Sequence, residues 1–155
     1  MPEFLHGCLF LKNDSFMTGK TKILIIEDEI PVAMLMAALL ARAGCEVEVA
    51  TAAEKGIQLA GKRSFDLITL DVDLPNANGF EICSRLKKNP RLCAAPVVFI
   101  TGRPGEEDVR RGLGLGAVDY ITKPFDARNF GSRILSHVTR RASAADRDIE
   151  APVES

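Results

Sequence analysis

The stretch LITLDVDLPNANGFE, residues 67–81, starts as an unbroken apolar run and places two carboxylates, Asp71 and Asp73, where that run stops. An unbroken apolar run is typical of a strand that is covered on both faces of a sheet. Burying a charge costs free energy, so an acid at the end of such a strand needs a compensating partner. Asp71 is therefore the first candidate for a functional group.

Five short β-type runs alternate with five helical stretches along the chain. The predicted strands cover residues 23–27, 46–50, 65–71, 96–101 and 118–122. The predicted helices cover residues 31–43, 53–62, 79–88, 106–115 and 126–141. Gly44 and Gly116 fit the position just after a helix, where glycine commonly ends it. This alternation predicts an α/β fold with a doubly wound parallel sheet.

Four of the five predicted strands end in reactive or ion-pairing groups, at the edge of the sheet where α/β proteins bind ligands. These groups are Glu27, Asp28, Asp71, Thr101 and Lys123. Like charges 4 Å apart repel by about 4 kcal/mol at an effective dielectric of 20, so the three acids need a divalent cation and the lysine. Oxygen ligands indicate a hard ion such as Mg²⁺. The set is typical of phosphoryl transfer, in which an aspartate can itself be the nucleophile.

Four segments carry a family resemblance: IIEDE (25–29), LDVDLPNANGFE (70–81), PVVFITG (96–102) and VDYITKPF (118–125). In this order and spacing they closely resemble the receiver domain of bacterial two-component response regulators, over roughly residues 21–141. The resemblance implies a flavodoxin-like sheet of five parallel strands in the order 2-1-3-4-5, with five helices. It also implies a cytoplasmic protein that takes a phosphoryl group from a histidine kinase or histidine phosphotransfer protein. Its chemistry would be self-phosphorylation and self-dephosphorylation only, and it would not be an enzyme.

The resemblance assigns roles at the acidic end of the site. Asp71 resembles the phosphoacceptor, and Asp28 resembles the direct Mg²⁺ ligand. Glu27 resembles the acid that holds the ion through water. Asp73 lies where the family uses a backbone carbonyl as a further metal ligand.

The resemblance also assigns the switch. Thr101 resembles the hydroxyl that moves to the phosphoryl group, and Lys123 resembles the lysine that pairs with a phosphoryl oxygen. Tyr120 matches the aromatic residue whose ring turns inward on activation; a partly buried ring with no switching role is the alternative. Pro124 lies where the family often has a cis peptide bond.

Three residues depart from the family pattern or add charge to it. Gly102 replaces the alanine that usually follows the threonine. Asp73 and Arg103 are charged residues at two positions that flank the phosphoryl group in this family. They either neutralise each other or are independent exposed charges.

Two other function classes compete with this interpretation. The segment LITLDVDLP, residues 67–75, also looks like the first motif of haloacid-dehalogenase-type phosphatases, in which Asp71 would be the nucleophile and Asp73 the general acid. Those enzymes need an acidic pair after the lysine, whereas Glu27 and Asp28 precede it. A binding module without phosphorylation is the third interpretation, and the complete set of site residues argues against it.

The overall composition excludes several partners. The net charge is −1 and the pI about 6.1, which gives no electrostatic basis for direct nucleic-acid binding. No apolar run is long enough to span a membrane. The four cysteines show no C-x-x-C spacing, which argues against a zinc site.

The receiver-like region, residues 21–141, leaves residues 1–20 as an N-terminal extension and residues 142–155 as a disordered tail or linker.

In the first predicted helix, six residues can share the face against the sheet: Val32, Leu35, Met36, Leu39, Leu40 and Ala43. Five residues are left facing outward: Ala33, Met34, Ala37, Ala38 and Ala41.

This outward face predicts a docking surface for the phosphodonor, because exposed apolar patches often mark partner sites. Alanine is also a good helix former on any surface, so helix propensity alone is one alternative. The apolar segment at residues 4–11 or a second copy of the chain, as a homodimer, are the other candidates to cover it.

Overall fold

The computed structural model describes residues 19–138. A five-stranded parallel sheet has the order β2-β1-β3-β6-β7, and a separate two-stranded sheet is formed by β4 and β5. The strands are β1 (Lys22–Ile26), β2 (Glu46–Ala50), β3 (Leu67–Leu70), β4 (Asp73–Leu74), β5 (Ala77–Asn78), β6 (Val97–Thr101) and β7 (Asp119–Thr122). Because β6 and β7 are the fourth and fifth of the predicted strands, the predicted order 2-1-3-4-5 is confirmed.

Helices follow each strand of the large sheet. They are α1 (Ile30–Arg42), α2 (Ala53–Lys62), α3 (Gly79–Lys88), α4 (Glu106–Gly114) and α5, which covers residues 127–138 of the described chain. Gly44 and Gly116 follow α1 and α4 with φ of 96° and 103°, so both predicted glycine caps are confirmed. The predicted extension and tail lie outside the described residues, apart from residues 19 and 20.

The helices cover both faces of the sheet, which explains the unbroken apolar strands. Every residue of β3 and β6 is buried. One core layer contains Leu24, Ile68 and Phe99, and the other contains Ile25, Met36 and Ile134. No helix of residues 19–138 has the length and hydropathy needed to cross a membrane.

The small β4–β5 hairpin is absent from the predicted elements. Pro75 and Asn76 form its turn, and Asn76 has a φ of 58°. Proline followed by a residue that tolerates positive φ is a recognised turn signal, so the sequence contains the information. Two-residue strands are too short for a periodicity to reveal them.

The predicted inner face of α1 is partly wrong. Leu35 is 46% exposed and Ala43 is also exposed, whereas Ala33 is only 1% exposed. The buried residues of α1 are Ala33, Met36 and Leu40, which are spaced three and four residues apart. The prediction used the same 3.6-residue periodicity but centred the inner face one position too far round the helix, so it included Leu35 and left out Ala33.

A partly buried ion cluster links α5 to the start of β7. Asp119 accepts hydrogen bonds from Arg133 Nε and Nη2, both at 2.8 Å, and its Oδ2 lies 2.9 Å from His137 Nε2. Burial opposes ionisation of Asp119, but these groups and the Tyr120 N–H outweigh it and hold its pKa below the usual range. The cluster therefore anchors α5 while Asp119 is charged.

Asp119→Asn should lower the free energy of unfolding at pH 7 by about 2 kcal/mol, because hydrogen bonds to a charged group are lost. The folded-state pKa of Asp119 lies below its unfolded value, so its stabilisation is present above about pH 4 and is lost as the pH falls through the folded-state pKa. Urea unfolding from pH 5 to pH 2 should show a shallower loss of stability in the variant. Glu107→Gln, at an exposed acid, is the control, and equal slopes in wild type and Asp119→Asn would contradict the assignment.

Candidate functional site

Three carboxylates converge at the carboxyl edge of the sheet. Glu27 follows β1 and Asp71 follows β3, and the pairing of these neighbouring strands brings the two acids together with Asp28. One oxygen from each of the three lies within 4.8 Å of the others. Glu27 is 1% exposed and Asp71 is 4% exposed, so most of this negative charge is buried.

Lys123 supplies the positive charge of the site from the end of β7. Its Nζ lies 2.9 Å from Glu27 Oε1, 2.9 Å from Asp71 Oδ2 and 2.9 Å from Glu29 Oε1. Burial disfavours the charged amine, but the three carboxylates outweigh it and raise the pKa of Lys123. Burial, with a smaller contribution from the negative charge of Asp71, raises the pKa of Glu27 to about 7, although Lys123 and the Glu29 N–H lower it. Glu29 is the site residue that sequence reasoning missed, although the acidic run at 27–29 contains the signal.

Thr101 ends β6 beside this cluster. It is fully buried, and its Oγ1 has no hydrogen-bond partner among the described residues. Thr69, in the middle of β3, has the same property. A buried hydroxyl without a partner is costly, so the Thr101 hydroxyl is an unsatisfied donor and acceptor at the carboxyl end of the strand beside β3.

The loop after Asp71 is fixed by short backbone contacts. The Asp73 N–H donates to Asp71 Oδ1 at 3.0 Å, and the Gly79 N–H donates to the Val72 carbonyl at 2.8 Å. A Cβ on Gly79 would lie 2.2 Å from the Asp71 carbonyl oxygen, so only glycine fits there. Asn78 caps α3 by accepting from the Phe80 N–H. Asp71 is thus held in position on both sides.

Asp73 does not point its carboxylate at the acidic cluster. Arg103 Nε and Nη2 each lie 2.8 Å from Asp73 Oδ1. Asp73 and Arg103 are thus paired, and the interpretation of independent exposed charges is wrong. The Tyr120 hydroxyl donates to the Arg103 carbonyl at 2.8 Å, and the ring is 8% exposed. Burial raises the pKa of Tyr120 to about 12.

A cavity of about 580 Å³ opens above Asp71. Its polar wall includes Asp28, Asp73 and Lys123, and its apolar wall includes Leu35 and Phe125. The Lys123–Pro124 peptide bond at its rim is cis, as the resemblance predicts. The arrangement presents a buried carboxylate oxygen to an incoming group beside a fixed positive charge.

The fold and this acidic edge define a phosphoacceptor-type signalling domain, and the comparisons identify its family. The chain belongs to the response regulator receiver domain family, whose sequence model matches residues 23–135. It is a receiver domain of two-component systems and not a classical enzyme. The phosphatase alternative is not supported.

Similar sequences and solved structures support this family assignment. The chain is 39% identical to the phosphate regulon transcriptional regulatory protein PhoB of Pseudomonas aeruginosa over 138 residues, 89% of this chain and 58% of PhoB. A CheY-like receiver domain protein from Methanospirillum hungatei has 26% identity and a TM-score of 0.75, over 81% of this chain and 98% of that one. The phosphorylated cyanobacterial phytochrome response regulator RcpA has 25% identity and a TM-score of 0.65, over 74% of this chain and 89% of that one. The chain spans about half the length of the curated relatives it matches.

Proposed function

We propose that this chain accepts a phosphoryl group on Asp71 from a histidine kinase or a histidine phosphotransfer protein. The observation that carries the proposal is the state of the Asp71 carboxylate. It is buried, Lys123 contacts one oxygen, the Asp73 N–H contacts the other, and the cavity opens directly above it. A similar structure, that of RcpA, is described as phosphorylated.

The transfer step follows from this geometry. An Asp71 oxygen attacks the phosphorus of a phosphohistidine, a new O–P bond forms, and the N–P bond breaks with its electron pair returning to the imidazole. Charge spreads over the phosphoryl oxygens during transfer, and fixed positive charge and hydrogen-bond donors stabilise it. Lys123 supplies the charge, and the Thr101 hydroxyl, which has no hydrogen-bond partner among residues 19–138, supplies a donor.

The residues present fit a divalent cation. Glu27, Asp28 and Asp71 offer three converging oxygens, and one lysine leaves their charge under-compensated. Oxygen-only ligands with a phosphate suit Mg²⁺, which would supply Lewis-acid stabilisation of the phosphoryl oxygens. We expect Asp28 and Asp71 to bind it directly, Glu27 to act through water and the Asp73 backbone carbonyl to contribute.

Asp71→Asn should abolish labelling by a small phosphodonor such as acetyl phosphate, because the amide is not a nucleophile. Wild type should gain one acid-stable, base-labile phosphoryl group, and only with Mg²⁺ present. Intact-mass spectrometry counts the groups. Asp108→Asn, an acid near Arg103 but outside the cluster, is the matched control and should label. If Asp71→Asn is labelled as well as wild type, Asp71 is not the phosphoacceptor.

Thr101→Val should uncouple phosphorylation from the surface of α4 and β7, because it removes the hydroxyl that would follow the phosphoryl group. Thr69→Val is a matched control, since it also removes a buried hydroxyl without a described partner. In both variants the free energy of unfolding should be about 1 kcal/mol higher than in wild type, because a buried hydroxyl without a hydrogen bond is removed.

Amide hydrogen exchange over residues 106–122 should change on phosphorylation in wild type and Thr69→Val, and much less in Thr101→Val. A full response in Thr101→Val would remove Thr101 from the switch. No response in wild type would leave the domain without the proposed conformational output.

The donor is proposed to dock on α1 beside the cavity. Ile30, Met34 and Leu35 are 49%, 66% and 46% exposed, and Leu35 also lines the cavity. This apolar surface therefore continues from the helix to the phosphoacceptor. A helix that carries the donor histidine can cover this apolar surface while the histidine side chain enters the cavity.

Met34→Glu should slow transfer from a cognate donor by about tenfold or more, because a charge is introduced into an apolar contact. Labelling by acetyl phosphate should be unchanged. Val118→Glu is the control, since Val118 is 42% exposed but precedes β7 at the opposite edge of the sheet. If both variants accept phosphoryl groups from the donor at the wild-type rate, the α1 surface is not the docking site.

The wider role of the chain also belongs to this proposal. We infer a cytoplasmic protein whose phosphorylation changes its contact with a downstream protein. PhoB is named as a transcriptional regulatory protein, and a regulatory output of that kind is the expectation for this chain.

A further inference from the structure

Arg103 contacts both Asp73, in the loop after β3, and Tyr120, in β7. Its guanidinium contacts Asp73, two residues after Asp71, through two N–H groups at 2.8 Å from the same oxygen. Its carbonyl accepts the Tyr120 hydroxyl at 2.8 Å. One residue therefore contacts both the phosphoacceptor loop and the aromatic ring of β7.

The Tyr120 ring occupies a closely packed inward position. Its centroid lies 5.9 Å from that of Phe99. A Cβ on Gly112 would lie 3.0 Å from Phe99 and 3.1 Å from Tyr120, so glycine leaves room for both rings. A buried phenol needs a hydrogen-bond partner, and here the Arg103 carbonyl is that partner.

The backbone around Arg103 does little to fix this carbonyl. Residues 102–107 are exposed, and within residues 19–138 neither the N–H nor the carbonyl of Arg103 joins a backbone–backbone hydrogen bond. The side chain has the strong contact, and Asp108 Oδ1 at 4.0 Å from Nη1 is a weaker second one. The ion pair is therefore what places the carbonyl.

We propose that the Asp73–Arg103 ion pair is a positioning device that holds the Tyr120 ring inward before any phosphoryl group arrives. The pair links the loop that follows Asp71 to the Tyr120 ring. Its strength therefore sets the equilibrium between the inward and outward positions of that ring. This consequence for signalling rests on the proposed function, whereas the positioning itself does not. Both side chains are about half exposed, so breaking the pair should shift the ring equilibrium about two- to fivefold.

The sequence provides a specific reporter, because Tyr120 is the only tyrosine and there is no tryptophan. Acrylamide quenching of the intrinsic fluorescence therefore measures the exposure of this one ring. Arg103→Ala and Asp73→Asn should each raise the quenching constant about two- to fivefold. Arg103→Lys should lie between Arg103→Ala and wild type, because it keeps the charge without the planar fork.

Two further experiments distinguish a specific effect on the position of the Tyr120 ring from a general loss of structure. The double variant Asp73→Asn/Arg103→Ala should quench no more than either single variant, because both act through one pair. High sodium chloride should raise quenching in wild type and leave the double variant unchanged. Glu54→Gln, which breaks the exposed Arg85–Glu54 pair on α2 and α3, is the control and should match wild type.

Unchanged quenching in both single variants, or additive effects in the double variant, would overturn the proposal. The salt arm uses the wild-type chain and does not depend on the folding of any variant; wild-type quenching that ignores salt would also count against the pair. No phosphodonor is present in these measurements, so they can fail while Asp71 is still phosphorylated, and the reverse also holds.

Discussion

The site depends on how the single charge of Lys123 is shared among three carboxylates, two of which are buried. Lys123 contacts Glu27, Glu29 and Asp71 at equal distances of 2.9 Å, and they carry more charge than it neutralises. The apolar sheet beneath gives this edge a low dielectric, which strengthens every uncompensated charge. The fold therefore places excess negative charge at an edge where a cation, or a group that engages Lys123, would be stabilising.

The strand order determines where these charged residues meet. Glu27 and Asp71 follow the neighbouring strands β1 and β3. Thr101 ends β6 and Lys123 follows β7, on the other side of β3. Asp71 is thus flanked from both directions by groups that are far apart in the chain. The helices cover both faces of the sheet, and a cavity lined in part by Val32 and Leu35 of α1 opens at this edge. The same sheet edge thus carries both the charged groups and the opening through which the proposed donor would approach.

Sequence reasoning located most of this site because its residues end recognisable strands. The charges of Asp71, Lys123 and Glu27 conflict with the apolar runs before them, and such a conflict is visible without a structure. It failed where tertiary packing decides, as on α1, where Ala33 is buried and Leu35 is not. It also missed the Glu29 contact, because a third acid in a row has no periodicity that indicates which way its side chain turns.

The Asp73–Arg103 pair shows the limit in another way. The sequence indicates two opposite charges near the site, but only the coordinates show that the Arg103 carbonyl holds Tyr120. That contact uses a backbone atom, which carries no sequence signal. Since the Asp73 N–H also donates to Asp71, Asp73 contacts Asp71 through its backbone and Arg103 through its side chain. Charge added at Asp71 would therefore act on the same residues that position the Tyr120 ring.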